Sequence, residues 1–531
     1  SRTTFKIKVF YFFFTVMQSF FHFLGFFNPF LQYYCLFRPY IYKNVKCDIP
    51  KKMHNKVNKN TKIVATVGPA CSSLENLRAL ADAGVNIFRL NFSHSRHNEH
   101  LEVIQRITEL NEKFGYHIGI LADLQGPKLR VGQIENNALE LAEGDVITLI
   151  NKPCIGTKEA IYMSYQNFAS DVKVGEKVLV DDGKLVFEVI ETNFKDTVRL
   201  VTLFGGVLSS NKGVNLPNTK ISLPSLPEKD LVDLEFILTQ PFNWIALSFV
   251  RSAKDVKELR AKIDAKNHPA KIISKIEKPE AIEKIDKIIK ASNAIMVARG
   301  DLGIEIPIEQ VPVIQKIIIQ KCIQRSRPVI VATQMMDSMI TNPSPTRAEA
   351  TDVANAVFDG ADAVMLSAET SVGRHPIKVV EAMVRIIQEA EKVFEIGEKR
   401  PVPSDNSRTF LSDVICQQAV HTAESIKAKA IIGMTSSGYT AFKVSSFRPD
   451  IRIKTYIFCD KIHMIATLSL VWGVECFYYD RFATTDDTIQ DVVDLLKAKS
   501  IVEKGDIVVN TGTMPLMRKH RTNMLKVTVI E

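Results

Sequence analysis

An α/β chain is predicted for these 531 residues: a closed (β/α)8 barrel, an inserted small β-barrel lid domain and a C-terminal α/β domain. Three observations predict it. Eight short apolar runs alternate with amphipathic segments of helical period; the alternation breaks once, after the third run; and a second α/β rhythm starts after the eighth. Near-continuous apolar runs separated by helices mark parallel strands buried on both faces, and eight of them suit closure into a barrel.

The runs are KIVATV (Lys62–Val67), NIFRL (Asn86–Leu90), IGILAD (Ile118–Asp123), WIALSF (Trp244–Phe249), KIISKI (Lys271–Ile276), AIMVA (Ala294–Ala298), PVIVAT (Pro328–Thr333) and AVMLS (Ala363–Ser367). Between the third and fourth, from about Val131 to Leu216, short alternating stretches (DVITLI, KVLVDDGKLVFEVI, TVRLVTLF) are broken by Asp-Gly and Gly-Gly signals, without a convincing helix. This is the pattern of a small antiparallel β domain set into a barrel loop. After about Val402 a helix is expected over 409–426, with strands at 429–434 and near 453–458, 474–478, 506–510 and 526–530. The expected partition is 1–52, an extension; 53–131 and 218–400, the barrel domain; 132–217, the lid; and 401–531, the C-terminal domain.

The extension does not match the rest. Val9–Phe37 has no charged residue and is crowded with phenylalanine, yet Gln18, His22, Asn28-Pro29 and Gln32 interrupt it and no small-residue cleavage site follows. We expect residues 1–52 to be translated from upstream of the true start, with Met53 the first native residue; a membrane or organelle leader is the rival. Residues 1–52 hold eight Lys or Arg against Asp48 alone, so seven of the nine net positive charges sit there. The remaining 479 residues are nearly neutral, which removes the support for a nucleic-acid partner and gives no reason to place the core at a membrane. Eight scattered cysteines, with no CxxC pair, fit a reducing, cytoplasmic compartment and argue against a zinc site.

Barrel active sites lie at the carboxyl ends of the strands. There Arg89, Asn91 and Ser93 alternate along one face, as do Lys275 and Glu277. The third run ends at Asp123, the sixth at Ala298-Arg299-Gly300-Asp301, the seventh at Thr333-Gln334 and the eighth at Ser367, followed by Glu369. Taken singly, each is an ordinary rim charge; together they form a kit. Glu277 and Asp301 can hold a Mg2+ or Mn2+ that keeps waters or substrate oxygens. Arg89 and Lys275 add positive charge where a phosphoryl group would sit, and Thr333 offers a hydroxyl for proton relay. On chemistry alone an enolate-handling aldolase or lyase competes, with Lys275 as a Schiff-base amine, although two carboxylates beside that lysine favour its protonated form.

The motifs TKIVATVGPACSS, FRLNFSH, KGVNLP, IISKIEKPEAI, MVARGDLGIEI, VATQMMDSM and PSPTRAEATDVANAVFDGADAVMLSAETSVGRHP closely resemble those of the pyruvate kinase family, in the family's order from Thr61 to the C-terminus. The resemblance implies a Mg2+- or Mn2+-dependent enzyme that transfers the phosphoryl group of phosphoenolpyruvate to ADP. It also implies a lid that closes over the barrel, a regulatory C-terminal domain and a homotetramer. At matching positions Lys275 would stabilise the transferring phosphoryl group, Glu277 and Asp301 would hold the divalent ion, and Arg89 would contact the substrate phosphate. Ala298, Arg299 and Gly300 would shape the substrate carboxylate pocket, Thr333 would belong to proton delivery, and Asn91, His94, Arg130 and Lys212 would contact the nucleotide. A catalytically silent sugar-phosphate sensor of the same fold is the competing implication, disfavoured because the whole set Arg89, Lys275, Glu277, Asp301 and Thr333 is present.

One departure is informative. Many members bind potassium and carry DTKGPEIRTG after the third strand; this chain reads DLQGPKLRVG (Asp123–Gly132). In the monovalent-cation region of Asn91, Ser93, Asp123, Leu124 and Lys128, Leu124 therefore replaces a threonine ligand and Lys128 a glutamate. A lysine ammonium can supply the charge potassium would bring, so no potassium requirement is expected. In the C-terminal domain, Thr435-Ser436-Ser437-Gly438-Tyr439-Thr440 lies between a strand and a helix, where the family places a phosphorylated effector. Arg518, Lys519, His520 and Arg521 form a cationic turn near the end, and Thr346 with Glu349 resembles a helix capping box.

Overall fold

Strand and helix alternate from Lys62 to Lys392 as the apolar runs require. The computed structural model describes residues 57–394, 400–481, 484–514 and 521–531, so the extension, the expected start at Met53 and most of the cationic turn lie outside them. The first three runs are β1 (Lys62–Thr66), β2 (Ile87–Asn91) and β3 (Gly119–Asp123).

The chain then leaves the barrel. β4 (Leu129–Arg130), β5 (Leu139–Leu141), β6 (Val146–Ile150), β7 (Ile161–Tyr162), β8 (Lys177–Val180), β9 (Leu185–Thr192), β10 (Thr197–Phe204), β11 (Gly206–Leu208) and β12 (Gly213–Asn215) follow. Seven of these form one sheet in the order β4-β12-β8-β9-β10-β6-β7, and β5 pairs with β11. A bridge between Val131 and Met163 joins the two outer edges, so the sheet closes on itself around a core that includes Phe187, Val189, Val198 and Leu200. Asp181, Asp182 and Gly183 all take positive φ (53°, 56° and 83°) in the β8–β9 turn, which explains the Asp-Asp-Gly signal: short polar side chains and glycine tolerate that region best. The one α-helix in this segment, Phe168–Asp171, is a single turn, as is the 3-10 turn Glu135–Asn137, and both are too short to leave a periodic pattern.

β13 (Trp244–Leu247), β14 (Lys271–Ile276), β15 (Ala294–Ala298), β16 (Val329–Ala332) and β17 (Ala363–Leu366) complete the barrel, all eight strands parallel and in chain order around the ring. Because strand side chains alternate, one parity faces inward: Val64, Ile87, Leu121, Trp244, Ile273, Met296, Ile330 and Met365 fill the interior. The other parity, Ile63, Phe88, Ile120, Ile245, Ile272, Ile295, Val331 and Val364, packs under the helices.

β18 (Ala430–Met434), β19 (Lys454–Cys459), β20 (Val474–Tyr478), β21 (Ile507–Gly512) and β22 (Met524–Val529) form the last sheet, ordered β20-β19-β18-β21-β22 with only β22 antiparallel. The helix expected over 409–426 is Phe410–Ser425. This layer plugs the amino-terminal end of the barrel: Leu470 joins the interior cluster, and the Trp244 indole N–H donates to Thr467 O at 3.2 Å. Alongside, buried Arg448 donates to Asp362 Oδ1 at 3.0 Å and to Gly360 O at 2.7 Å, with its guanidinium 4.9 Å from the Trp472 ring. Among the described residues no helix is long and apolar enough to cross a membrane.

Candidate active site

Period-2 alternation builds the site. Continuing each inward-facing parity one step past the apolar layer reaches Thr66, Arg89, Asp123, Ser248, Lys275, Ala298 and Ser367 at the carboxyl ends of seven strands. The barrel interior is thus apolar until its mouth, where six of the strands turn polar. Registers bring these groups side by side: Thr66 pairs with Arg89, and Asn91 with Asp123.

Lys275 is the hub. Its ammonium lies 2.9 Å from Glu277 Oε1 and 3.4 Å from Asp123 Oδ1, and donates to Ser248 Oγ at 2.8 Å. Burial works against its charge, but the carboxylates of Asp123, Glu277 and Asp301 outweigh burial and hold the amine well above the usual lysine range. A protonated amine is not free to add to a carbonyl, which counts against the Schiff-base alternative. Asp123 is also fully buried; Lys275 and Arg89 overcome that penalty and keep it ionised. Arg89 Nε donates to Asp123 Oδ2 at 2.7 Å while Nη1 donates to Thr66 Oγ1 at 2.9 Å, fixing the guanidinium in the mouth.

Glu277 has the opposite balance. Burial raises its pKa, Lys275 lowers it, and the facing charge of Asp301 raises it again. Its Oε2 accepts from the Phe249 N–H at 2.6 Å, a bond made available because Phe249 adopts φ 52° in the turn after β13. Two carboxylates whose charges oppose each other at the rim of a buried site are the donor set a hard divalent cation needs when waters and substrate oxygens complete the shell. No group of three or more potential metal ligands occurs among the described residues, so Glu277 and Asp301 would be the protein's share.

Helix Arg299–Glu305 starts where β15 ends and carries Asp301 in its first turn. Thr333 and Gln334 take φ 69° and 53°, and that turn points the Thr333 hydroxyl at the Gly300 N–H, which donates to it at 2.7 Å. A Cβ on Gly300 would sit 3.3 Å from that hydroxyl oxygen, tight against the contact. Arg299 is turned away from the mouth: it donates to Asp352 Oδ1 at 2.7 Å and to Thr333 O at 2.8 Å. Ala298 is buried behind them.

Around this centre the inserted sheet and barrel mouth enclose a cleft whose lining includes Lys128, Asp182, Asn215, Arg251, Lys278 and Asp301. His94 lies near it: burial first, then Lys128, Arg130, Arg89 and Lys229, keep its imidazole pKa low, which records four cations close by. Arg130 donates to Asn211 O at 2.8 Å, Lys212 pairs with Asp181 at 2.9 Å, and Asn91 Oδ1 accepts from the Ser93 N–H at 3.1 Å. Leu124 is buried while Lys128 is exposed. In the C-terminal loop Thr435 Oγ1 accepts from the Gly438 N–H at 2.9 Å. Tyr439 donates inward to Asp413, and the Thr440 hydroxyl bonds Thr522 at 2.7 Å, which leaves Ser436 and Ser437 as the outward hydroxyls of the six. Thr346 and Glu349 form the capping box of helix Arg347–Asp359.

Ser248, Thr66 and the Phe249 N–H were not singled out by sequence. The signal for Ser248 was present, since the serine of WIALSF shares the inward parity of Trp244 and Ala246.

Family models described as pyruvate kinase, barrel domain, and pyruvate kinase, alpha/beta domain, match residues 58–380 and 413–528. The chain is 43% identical to a pyruvate kinase of Geobacillus stearothermophilus over 479 residues, covering 89% of this chain and 81% of that one. It is 41% identical to that of Corynebacterium glutamicum, covering 89% and 98%. A crystal structure of a pyruvate kinase from Cryptosporidium parvum superposes with a TM-score of 0.83 at 34% identity, covering 89% of this chain and 97% of that one.

Proposed function

The chain belongs to the pyruvate kinase family of phosphotransferases, and from that premise we propose that it transfers the phosphoryl group of phosphoenolpyruvate to ADP at the mouth of its barrel, the last step of glycolysis. The observation that supports this reading best is the Lys275 ammonium, buried between Asp123 and Glu277 with Arg89 alongside. Phosphoryl transfer asks little covalent chemistry of a protein and a great deal of positioned charge.

Lys275 and Arg89 bind and neutralise the phosphoryl oxygens as the bond between phosphorus and the enolate oxygen breaks and one to a β-phosphate oxygen of ADP forms. Glu277 and Asp301 would hold a Mg2+ or Mn2+, which supplies charge neutralisation to substrate oxygens. The backbone of the Ala298–Asp301 segment would shape the pocket for the substrate carboxylate, with the Arg299 side chain anchored to Asp352 so that the helix start stays in place. The enolate left behind takes a proton on its terminal carbon, a delivery to which the Thr333 hydroxyl is assigned; it would first have to release its hydrogen bond to Ala332 O. Asn91, His94, Arg130 and Lys212 receive the nucleotide from the side of the inserted domain, residues 132–217, which acts as a lid over the barrel mouth and excludes water.

Leu124 offers no side-chain ligand oxygen and Lys128 brings an ammonium to the region, so the reaction is independent of potassium. The segment 401–531 is regulatory, with a phosphorylated effector at Thr435–Thr440, and the enzyme is a cytoplasmic homotetramer. Purified protein supplied with phosphoenolpyruvate, ADP and Mg2+ is expected to form pyruvate and ATP in equal amounts; ADP-dependent turnover that yields no ATP would overturn the reading.

A further inference from the structure

Asn215, Lys278 and Glu305 meet at the seam between the inserted sheet and the barrel mouth, and the reaction as described uses none of them. Asn215 ends β12, Lys278 directly follows Glu277, and Glu305 closes the helix that begins at Arg299. Lys278 Nζ donates to Glu305 Oε1 at 2.7 Å, and Asn215 Nδ2 donates to the same oxygen at 2.8 Å. The lysine and glutamate side chains are 8% and 1% exposed, depths at which charge persists only when paired. Glu305 Oε2 is buried with no donor among the described residues, so the two bonds to Oε1 alone set the rotation of that carboxylate. Lys278 also lies 5.9 Å from the centre of the Phe249 ring, the residue whose N–H holds Glu277.

We propose that these three side chains form a catch that registers the inserted sheet onto the metal-binding segments. The Lys278–Glu305 pair ties the segment bearing Glu277 to the helix bearing Asp301 and so fixes the spacing of the two carboxylates. Asn215 transmits the position of the sheet to that same pair. All three are positioning residues that touch no reacting atom. The inference rests on the phosphotransferase reading for what binds in the cleft and adds the residues that align it.

Two full-length variants test it, each compared with wild type in three measurements: turnover, hydrogen exchange across residues 213–226, and binding of Mn2+ alone followed by its electron paramagnetic resonance signal. Asn215→Ala should speed exchange across 213–226 and lower kcat about tenfold, the loss of one hydrogen bond to a charged acceptor, with Mn2+ affinity changed less than threefold. Lys278→Met combined with Glu305→Leu removes both charges without stranding either, and should weaken Mn2+ about tenfold. Unchanged exchange or kcat within twofold of wild type in Asn215→Ala overturns the catch. So does wild-type Mn2+ affinity in the double variant, and if that variant does not fold the Asn215→Ala arm decides alone. Wild-type protein that makes no ATP would defeat the phosphotransferase reading, while the exchange and Mn2+ measurements would still judge the catch.

Discussion

Ser248 accepts a hydrogen bond from Lys275 at 2.8 Å and passes its own to Leu124 O at 2.7 Å, so the ammonium is held by a hydroxyl that is itself fixed by the barrel wall. Ser248→Ala leaves Asp123 and Glu277 to hold the charge but frees its direction. Steady-state kinetics should show kcat reduced about tenfold with little change in the thermal midpoint, because the lost bond aims the lysine and adds little to its burial.

Lys275→Met removes the positive charge and leaves two buried carboxylates facing one another. Phosphoryl transfer should fall by at least about a thousandfold, the scale at which a fixed charge on a developing oxyanion matters. The variant should retain its far-ultraviolet circular dichroism. Turnover near wild type would contradict the role given to this residue.

His463 lies at the barrel floor, where Asn243 Nδ2 donates to its carbonyl at 3.1 Å. Burial lowers its imidazole pKa from 6.5 to about 4, with His268 and Lys271 adding to the effect. A base with a depressed folded pKa binds its proton more readily when unfolded, so its stabilising contribution is complete above pH 6.5 and is lost as the pH falls toward 4. The shift corresponds to about 3 kcal/mol across that window. Thermal midpoints measured from pH 7.5 down to 4 should fall less steeply for His463→Gln than for wild type.

Potassium gives a separate test. Activity in a potassium-free buffer of a tetraalkylammonium salt should lie within about twofold of that with potassium added, because Lys128 carries a permanent charge. Lys128→Ala should lose activity in both buffers. Wild-type activity that collapses without potassium and returns on its addition would refute this role for Lys128.

The barrel and much of its mouth were legible because both follow from a period of two: once Ile273 faces inward, Lys275 and Glu277 must follow it. All eight strands lie where their apolar runs placed them, and Asp301 was found as the charge that ends such a run. What stayed hidden depends on backbone turns and distant pairings. The Phe249 N–H reaches Glu277 only through a left-handed turn that no side chain announces, and Asn215 meets Glu305 across 90 residues of sequence. Asp123 was placed in a cation region on the strength of resemblance; its bonds to Arg89 and Lys275 are a further role that the sequence did not announce.

Arg448, 2% exposed, is bound to Asp362 at the foot of β17 and stacked by Trp472. Separating the last sheet from the barrel would strand a guanidinium and a carboxylate in an apolar setting, a cost of several kcal/mol per ion. Chimeras that graft the terminal module of one relative onto the barrel of another must therefore import arginine and aspartate together. A truncated barrel ending before residue 400 should come out of expression insoluble, its floor unsealed.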